Sequence, residues 1–315
     1  MKNSIPATYF HFKNQTDFYR GKVRDVYYFG DKLAMVTSDR ISAFDHILKQ
    51  AIPQKGKVLS GIATHFLHSA QTIVPTWLEA TPHPNVSIGK LCQPIMLEMV
   101  VRGYLAGHSW REYKAGKRLI CGVKMPDGMK EGQAFPTPII TPATKAEEGH
   151  DLDISKEDIL AQGIVSKEVL EQLYDYSLRL FALGTDYAAE RGLILVDTKY
   201  EFGFYQDEIT LMDELHTPDS SRYYIKEGYQ DRLANGEAQK QLSKEFVREW
   251  LMANNFQGKD GQVLPDMPDS FVETVTGRYS ELYQILMNKE LSDYKTDDVL
   301  WEIETAIREY FECTE

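Results

Sequence analysis

The sequence predicts an α+β protein, and three observations carry that prediction. Strand-like runs around a tight-turn dipeptide fill residues 17–48, and a second hairpin pattern spans residues 193–214. Helical periodicity dominates from 155 to 192 and returns toward the C-terminus. At 315 residues the chain has room for about two domains, each with its own core.

The elements follow in order. Val23, Val26, Tyr27, Tyr28 and Phe29 lead into Gly30-Asp31, which suits a two-residue turn, and residues 33–36 supply the return strand. Leu59, Ile62, Ala63, Phe66 and Leu67 recur at helical spacing within 55–71. Residues 95–101 read as a buried strand interrupted by Glu98 and leading into Arg102-Gly103-Tyr104. Residues 126–152 hold four prolines and three glycines without periodicity, so they read as either a disordered stretch or a functional loop. Ser155, with Asp158 three residues on, and Ser166 are suited to N-cap positions, the second for a helix ending at Gly192. The tail from 243 to 311 reads as helices, whose Phe246/Trp250 and Val299/Ile303/Ile307 stripes belong to a core.

Composition excludes several classes. The chain is 43% hydrophobic and 26% charged, near the globular average and far from disorder. Its net charge of −12 argues against a general nucleic-acid binder or a polybasic membrane binder. That total hides two halves of opposite sign. Residues 1–150 carry 19 Lys/Arg against 12 Asp/Glu, and residues 151–315 carry 16 against 35. The three cysteines, Cys92, Cys121 and Cys313, are widely spaced with no metal-ligand pattern, as expected of thiols in a reducing cytoplasm. Residues 1–6 lack an apolar leader core, and no run approaches the length of a membrane span. A soluble cytoplasmic protein is expected.

The segment from Leu193 to Gly203 is the richest in chemistry. Asp197, Lys199 and Glu201 alternate with Thr198, Tyr200 and Phe202, so in a strand the ionisable groups share one face and the rings the other. A hairpin pivoting on Asp207 would set Glu201 opposite Asp213, with Cβ atoms about 5 Å apart. Two carboxylates that close need a cation or a proton between them, and oxygen ligands on a hairpin suit Mg²⁺. A plain solvated row of charges is the alternative, and a one-residue slip would send Asp213 to the other face.

Other polar clusters are less specific. Residues 19–25 set a glycine among three cations but contain no Walker A pattern. Residues 38–45 and 218–222 each read as a ligand loop or as an ordinary turn. Arg102 follows an apolar strand, where a buried guanidinium needs an anionic partner. His46, His65, His68 and His216 read as helix-face or loop residues, and His150 lies in the long loop. No nucleophile elbow and no kinase catalytic-loop motif is present.

Together these segments resemble the phosphoribosylaminoimidazole-succinocarboxamide synthase (SAICAR synthetase) family. The resemblance rests on residues 20–25, 37–45, 98–104, 141–151, 193–203, 213–214 with 218–222, and 241–248, in family order, and covers about residues 15–255. The most specific piece is Leu195-Val196-Asp197-Thr198-Lys199-Tyr200-Glu201-Phe202-Gly203. The length and the Thr/Pro loop are similar to the yeast-like long form.

The resemblance implies an N-terminal antiparallel-sheet subdomain (1–100) covering ATP, and a larger C-terminal α/β subdomain (101–315). That fold is similar to ATP-grasp and kinase architectures. It implies a ligase of purine biosynthesis, using ATP and Mg²⁺ to join L-aspartate to a carboxylated aminoimidazole ribonucleotide, with no nucleic-acid or membrane partner. It implies Lys199 and Arg102 as catalytic residues, and Lys22, Glu98 and Lys145 at ATP, with Glu98 along the adenine edge. Glu201 and Asp213 would hold the metal. Ser38, Asp39, Arg40, Ser109, Asp197, Asp219, Ser220, Arg222 and Lys244 would contact substrate. One departure stands out: after Ala106-Gly107 the family has a serine, whereas here His108-Ser109 follows. Either Ser109 or His108 takes that contact. The basic first half would then supply a positive wall for anionic substrates.

Overall fold

Gly30 and Asp31 form the expected two-residue turn between strands Arg24–Phe29 and Lys32–Thr37, with Gly30 in the left-handed region at φ +66°. This computed structural model describes residues 4–145, 152–242 and 244–312. All named strands pair antiparallel. The chain falls into two units, one of residues 1–68, 77–91 and 244–315, the other of residues 69–76 and 92–243.

The first unit is built on a five-stranded sheet in the order Asp17–Arg20, Arg24–Phe29, Lys32–Thr37, Val86–Lys90, Leu78–His83. Tyr27, Phe29, Ala34, Val36, Val86 and Ile88 share one core with Val299, Ile303 and Ile307 of the last helix, Val299–Glu312. Phe311 of that helix stacks on Phe29 with ring centroids 3.8 Å apart. The tail stripe is therefore core, as its spacing predicts. The expected division at 100/101 differs from the observed one. The tail belongs with the first sheet because its apolar stripe fills that sheet's face, and the strand Gln93–Tyr104 lies wholly in the second unit.

The second unit holds a seven-stranded sheet whose centre is the long pair Gln93–Tyr104 and Leu193–Tyr205. The strands Ala143–Thr144 and Ala134–Ile140 pair with the first of these, Glu208–Met212 and Ser221–Ile225 with the second. Helix Lys167–Glu190 packs on both central strands. Its N-cap is Ser166, whose Oγ accepts from Val169 N at 3.3 Å, and Gly192 follows its end at φ +70°. Ser155 caps helix Lys156–Ala161 in the same way, accepting from Asp158 N at 3.0 Å.

Two expectations change here. Residues 126–152 are not loop throughout, since Ala134–Ile140 is a strand. Its pairing shifts register between Ala134 and Ile139, where Pro136 and Pro138 bring no N–H to the ladder. The hairpin after Leu193–Tyr205 turns on two residues, Gln206 (φ +50°) and Asp207 (φ +62°), so Glu201 stands opposite Met212 rather than Asp213. A two-residue turn with both φ positive matches the twist of the flanking strands, and that sets the register.

The tail's contribution is measurable. Ile303 is fully buried, so Ile303→Ala is expected to lower unfolding free energy by about 2–5 kcal/mol in urea titration. Trp301, 58% exposed on the same helix, is expected to change it by less than about 0.5 kcal/mol on replacement by Ala. Equal effects would place the helix outside that core.

Candidate active site

The register of the central pair decides which charges meet. Asp197 lies opposite Arg102, Lys199 opposite Val100 and Glu201 opposite Glu98. Directly opposed residues share a face, so these ionisable groups project together. The alternate residues Thr198, Tyr200, Phe202, Met99 and Val101 are buried on the other face, where Phe202 stacks on Tyr176 of helix Lys167–Glu190 at 6.4 Å. The alternation read from the sequence is thus real, and the helix is its cause.

Two carboxylates do oppose one another, but they are Glu98 and Glu201. Lys199 lies between them, with Nζ 2.6 Å from Glu98 Oε1 and 3.2 Å from Glu201 Oε1. Lys145 pairs with the other oxygen of Glu201. Burial alone would raise the pKa of Glu201, yet Lys199 and Lys145 override it and hold the carboxyl at about 2. Burial likewise opposes the charge on Lys199, and Glu201, Glu98 and Asp213 overcome it, pushing its pKa above the ordinary lysine value. Asp213 therefore joins the cluster without being the cross-strand partner of Glu201. It sits one residue past the strand, with its backbone in the left-handed region at φ +58°.

A second group adjoins the first along the same strands. Asp197 Oδ2 accepts from Arg222 Nη1 at 2.6 Å and from Arg102 Nη1 at 3.3 Å, while Arg102 Nε donates to Thr141 Oγ1 at 2.8 Å. Gly107 makes room for Arg222. A Cβ there would lie 2.3 Å from Arg222 Nη2, and its φ of +55° disfavours other residues. Ser109 is fully buried and its Oγ donates to Ala106 O at 2.9 Å, which occupies the hydroxyl within the fold. His108 is partly exposed, its Nε2 2.9 Å from Asp153 Oδ2. Ser220 Oγ lies 3.2 Å from Thr217 Oγ1, and the Asp219 N–H donates to that Thr217 oxygen at 3.3 Å.

The remaining expected site residues belong to the first unit. Lys22 is exposed and paired with Asp45. Ser38, Asp39 and Arg40 are buried and engaged in the fold. Ser38 Oγ donates to Val23 O at 2.8 Å. Asp39 accepts from the Ile5 N–H at 2.8 Å and the Gly56 N–H at 2.9 Å, while burial pushes its pKa up. Arg40 reaches Asp25 at 2.8 Å. Lys244 precedes helix Glu245–Ala253. Ser243, His150 and the rest of residues 146–151 lie outside the described residues.

Sequence reading gave no role to Asp25 or Asp153. Asp25 is fully buried between Arg40 and Arg20, the latter at 3.1 Å, and its only signal is its place after three cations. Glu98, expected along the adenine edge, lies inside the sheet, with Ala143 and Glu201 paired on either side of it. Among the described residues no group of three or more His, Cys, Asp and Glu side chains could hold a metal ion. Among them, too, no helix is long and apolar enough to cross a membrane.

The family model of SAICAR synthetase matches residues 17–263. The chain belongs to the SAICAR synthetase family. It is 59% identical over 282 residues to the phosphoribosylaminoimidazole-succinocarboxamide synthase of Cytophaga hutchinsonii, covering 90% of this chain and 91% of that one. With the synthase of the same name from Bacteroides thetaiotaomicron it shares 54% over 309 residues, covering 98% of each. Its fold is similar to that of the SAICAR synthase from Saccharomyces cerevisiae solved with SAICAR. There the TM-score is 0.74 at 33% identity, over 88% of this chain and 96% of that one. The SAICAR synthetase fold expected from the motifs is the one observed.

The charge cluster makes a pH prediction. The Glu201 carboxyl is expected to titrate near 2 in ¹³C NMR, against an ordinary value of 4.5. A lowered folded pKa stabilises the fold above the unfolded value, and that share is lost as pH falls from about 4.5 toward 2. Lys145→Gln is expected to move the midpoint up. A midpoint at 4.5 in the unmodified protein would contradict the cluster.

Proposed function

We propose that the Lys199-centred face carries out an ATP-dependent ligation. L-Aspartate is joined to the carboxylate of 5-amino-1-(5-phospho-D-ribosyl)imidazole-4-carboxylate, giving SAICAR, ADP and phosphate in the cytoplasm. The family assignment supports the reaction. The observation that carries it to particular residues is the convergence of Lys199, Lys145, Glu98 and Glu201 on one sheet face, with Asp213 near enough to act on the Lys199 charge.

The chemical difficulty is that a carboxylate is a poor electrophile with a poor leaving group. Transfer of the γ-phosphoryl group to a carboxylate oxygen gives an acyl phosphate; the aspartate amine then attacks the carbonyl carbon and phosphate leaves. Phosphoryl transfer depends chiefly on positioning and on neutralising charge. Lys199, whose pKa is raised, stays protonated and so acts as a fixed positive charge toward the transferring group, not as a base. Arg102 and Arg222, already sharing Asp197, present guanidinium forks suited to a phosphate or carboxylate of the ribonucleotide. At 108–109 the substrate contact falls to His108, whose side chain is 44% accessible, since Ser109 is fully buried.

The donor set fits Mg²⁺. That ion is commonly held by one or two carboxylates together with substrate phosphates, and does not require an all-protein cage of three or more acids. Glu201 and Asp213 would hold it, and when bound it would neutralise phosphate charge.

The reading is tested by ADP release with each substrate omitted in turn. ADP formation is expected to require both aspartate and the carboxylated ribonucleotide; formation indifferent to aspartate would overturn the ligase. Lys199→Met is expected to lower kcat by about a hundredfold or more. Glu201→Gln and Asp213→Asn are expected to raise the Mg²⁺ requirement, and an unchanged requirement in both would remove the metal from this hairpin.

A further inference from the structure

Both oxygens of Glu201, one of the two carboxylates proposed to hold the metal, already have a cation beside them. Lys199 lies 3.2 Å from Oε1, and Lys145 pairs with Oε2. The two lysines are not equivalent. Lys199 stands on a central strand, also bound to Glu98 at 2.6 Å and drawn by Asp213, so several acids hold it in place. Lys145 directly follows the two-residue strand Ala143–Thr144, and its side chain is 37% exposed.

An Mg²⁺ ion on a carboxylate oxygen sits about 2.0–2.1 Å away and cannot take the place an ammonium already holds on that oxygen. One like charge has to leave. The two side chains are similarly exposed, 37% for Lys145 and 33% for Lys199, so what separates them is their hold: Lys145 has one carboxylate and a single two-residue strand behind it, whereas Lys199 has two carboxylates and a central strand. The charges agree with an exchange. Glu98, Glu201 and Asp213 against Lys145 and Lys199 leave one net negative charge, and losing one lysine deepens it just as a doubly charged ion arrives.

We propose that Lys145 is a placeholder for the metal, neutralising Glu201 until a metal–nucleotide complex displaces it and receives its ammonium on the phosphates. This rests on the assignment of the metal to Glu201. Metal alone has to expel Lys145 into water, with no phosphate to receive the freed cation, so metal binds more weakly without nucleotide. Metal and nucleotide then bind with positive coupling that Lys145 creates.

The test is titration of the nucleotide-free protein with Mn²⁺, followed by loss of the free-ion EPR signal. Lys145→Gln is expected to bind Mn²⁺ about tenfold more tightly than the unmodified protein, or better. Lys145→Arg, which keeps the charge, is expected to leave the affinity unchanged. Adding Glu201→Gln to Lys145→Gln is expected to abolish the gain. A companion titration with a non-hydrolysable ATP analogue separates the two claims. If Glu201→Gln weakens Mn²⁺·analogue binding while Lys145→Gln does not tighten Mn²⁺ alone, the placeholder is overturned and the metal assignment stands. If Glu201→Gln leaves Mn²⁺·analogue binding unchanged, the assignment falls and the placeholder with it.

Discussion

The second unit depends on the pairing of Gln93–Tyr104 with Leu193–Tyr205. That register sets Glu98 against Glu201 and Arg102 against Asp197, and so brings together charges that lie about a hundred residues apart in the chain. Like charges directly opposed across a ladder are destabilising, and the pairing is tolerated because Lys199 stands two residues from Glu201 on the same face. The helix Lys167–Glu190 covers the other face and leaves no choice about which side the charges occupy. A register shift by one residue would bury Lys199 against that helix.

Such a cluster does not recommend itself as a source of stability. Desolvating ions costs free energy that mutual attraction only partly offsets, and apolar replacements of buried pairs are often neutral or better. Removing one partner is different, because it strands the other charge in a poorly solvated place. A set of three acids and two lysines gathered in one place is thus better understood through the chemistry proposed for it than through stability. The arginine pair on Asp197 follows the same logic, with its guanidinium charge held in place by a shared carboxylate.

Much of this was legible in the sequence, and the parts that were not share a cause. Strict alternation from Asp197 to Phe202 revealed the shared face, and Ser155, Ser166 and Gly192 marked helix ends through local backbone chemistry. Partner identity depended on one residue of turn length. Asp207 as pivot favoured Asp213, whereas the two-residue turn at Gln206-Asp207 gave Glu201 to Met212 and left Glu98, distant in sequence, as the opposed acid. Likewise Ser38, Asp39 and Arg40 are expected at substrate only through the family resemblance, since the segment by itself reads as a turn and a helix cap. Their partners, Val23, Ile5, Gly56 and Asp25, are tertiary contacts with no local signature. The opposite charges of the two halves of the chain do not follow the units, since the acidic residues 244–315 fold with the first sheet.

Across the two central strands, the Lys199 ammonium and the Glu98 carboxylate act as one unit. A double-mutant cycle on unfolding free energy with Glu98→Gln and Lys199→Met tests it most directly. A coupling of about 1–3 kcal/mol is expected, the double variant being less damaged than the two single losses added together. Additivity within about 0.3 kcal/mol would contradict it.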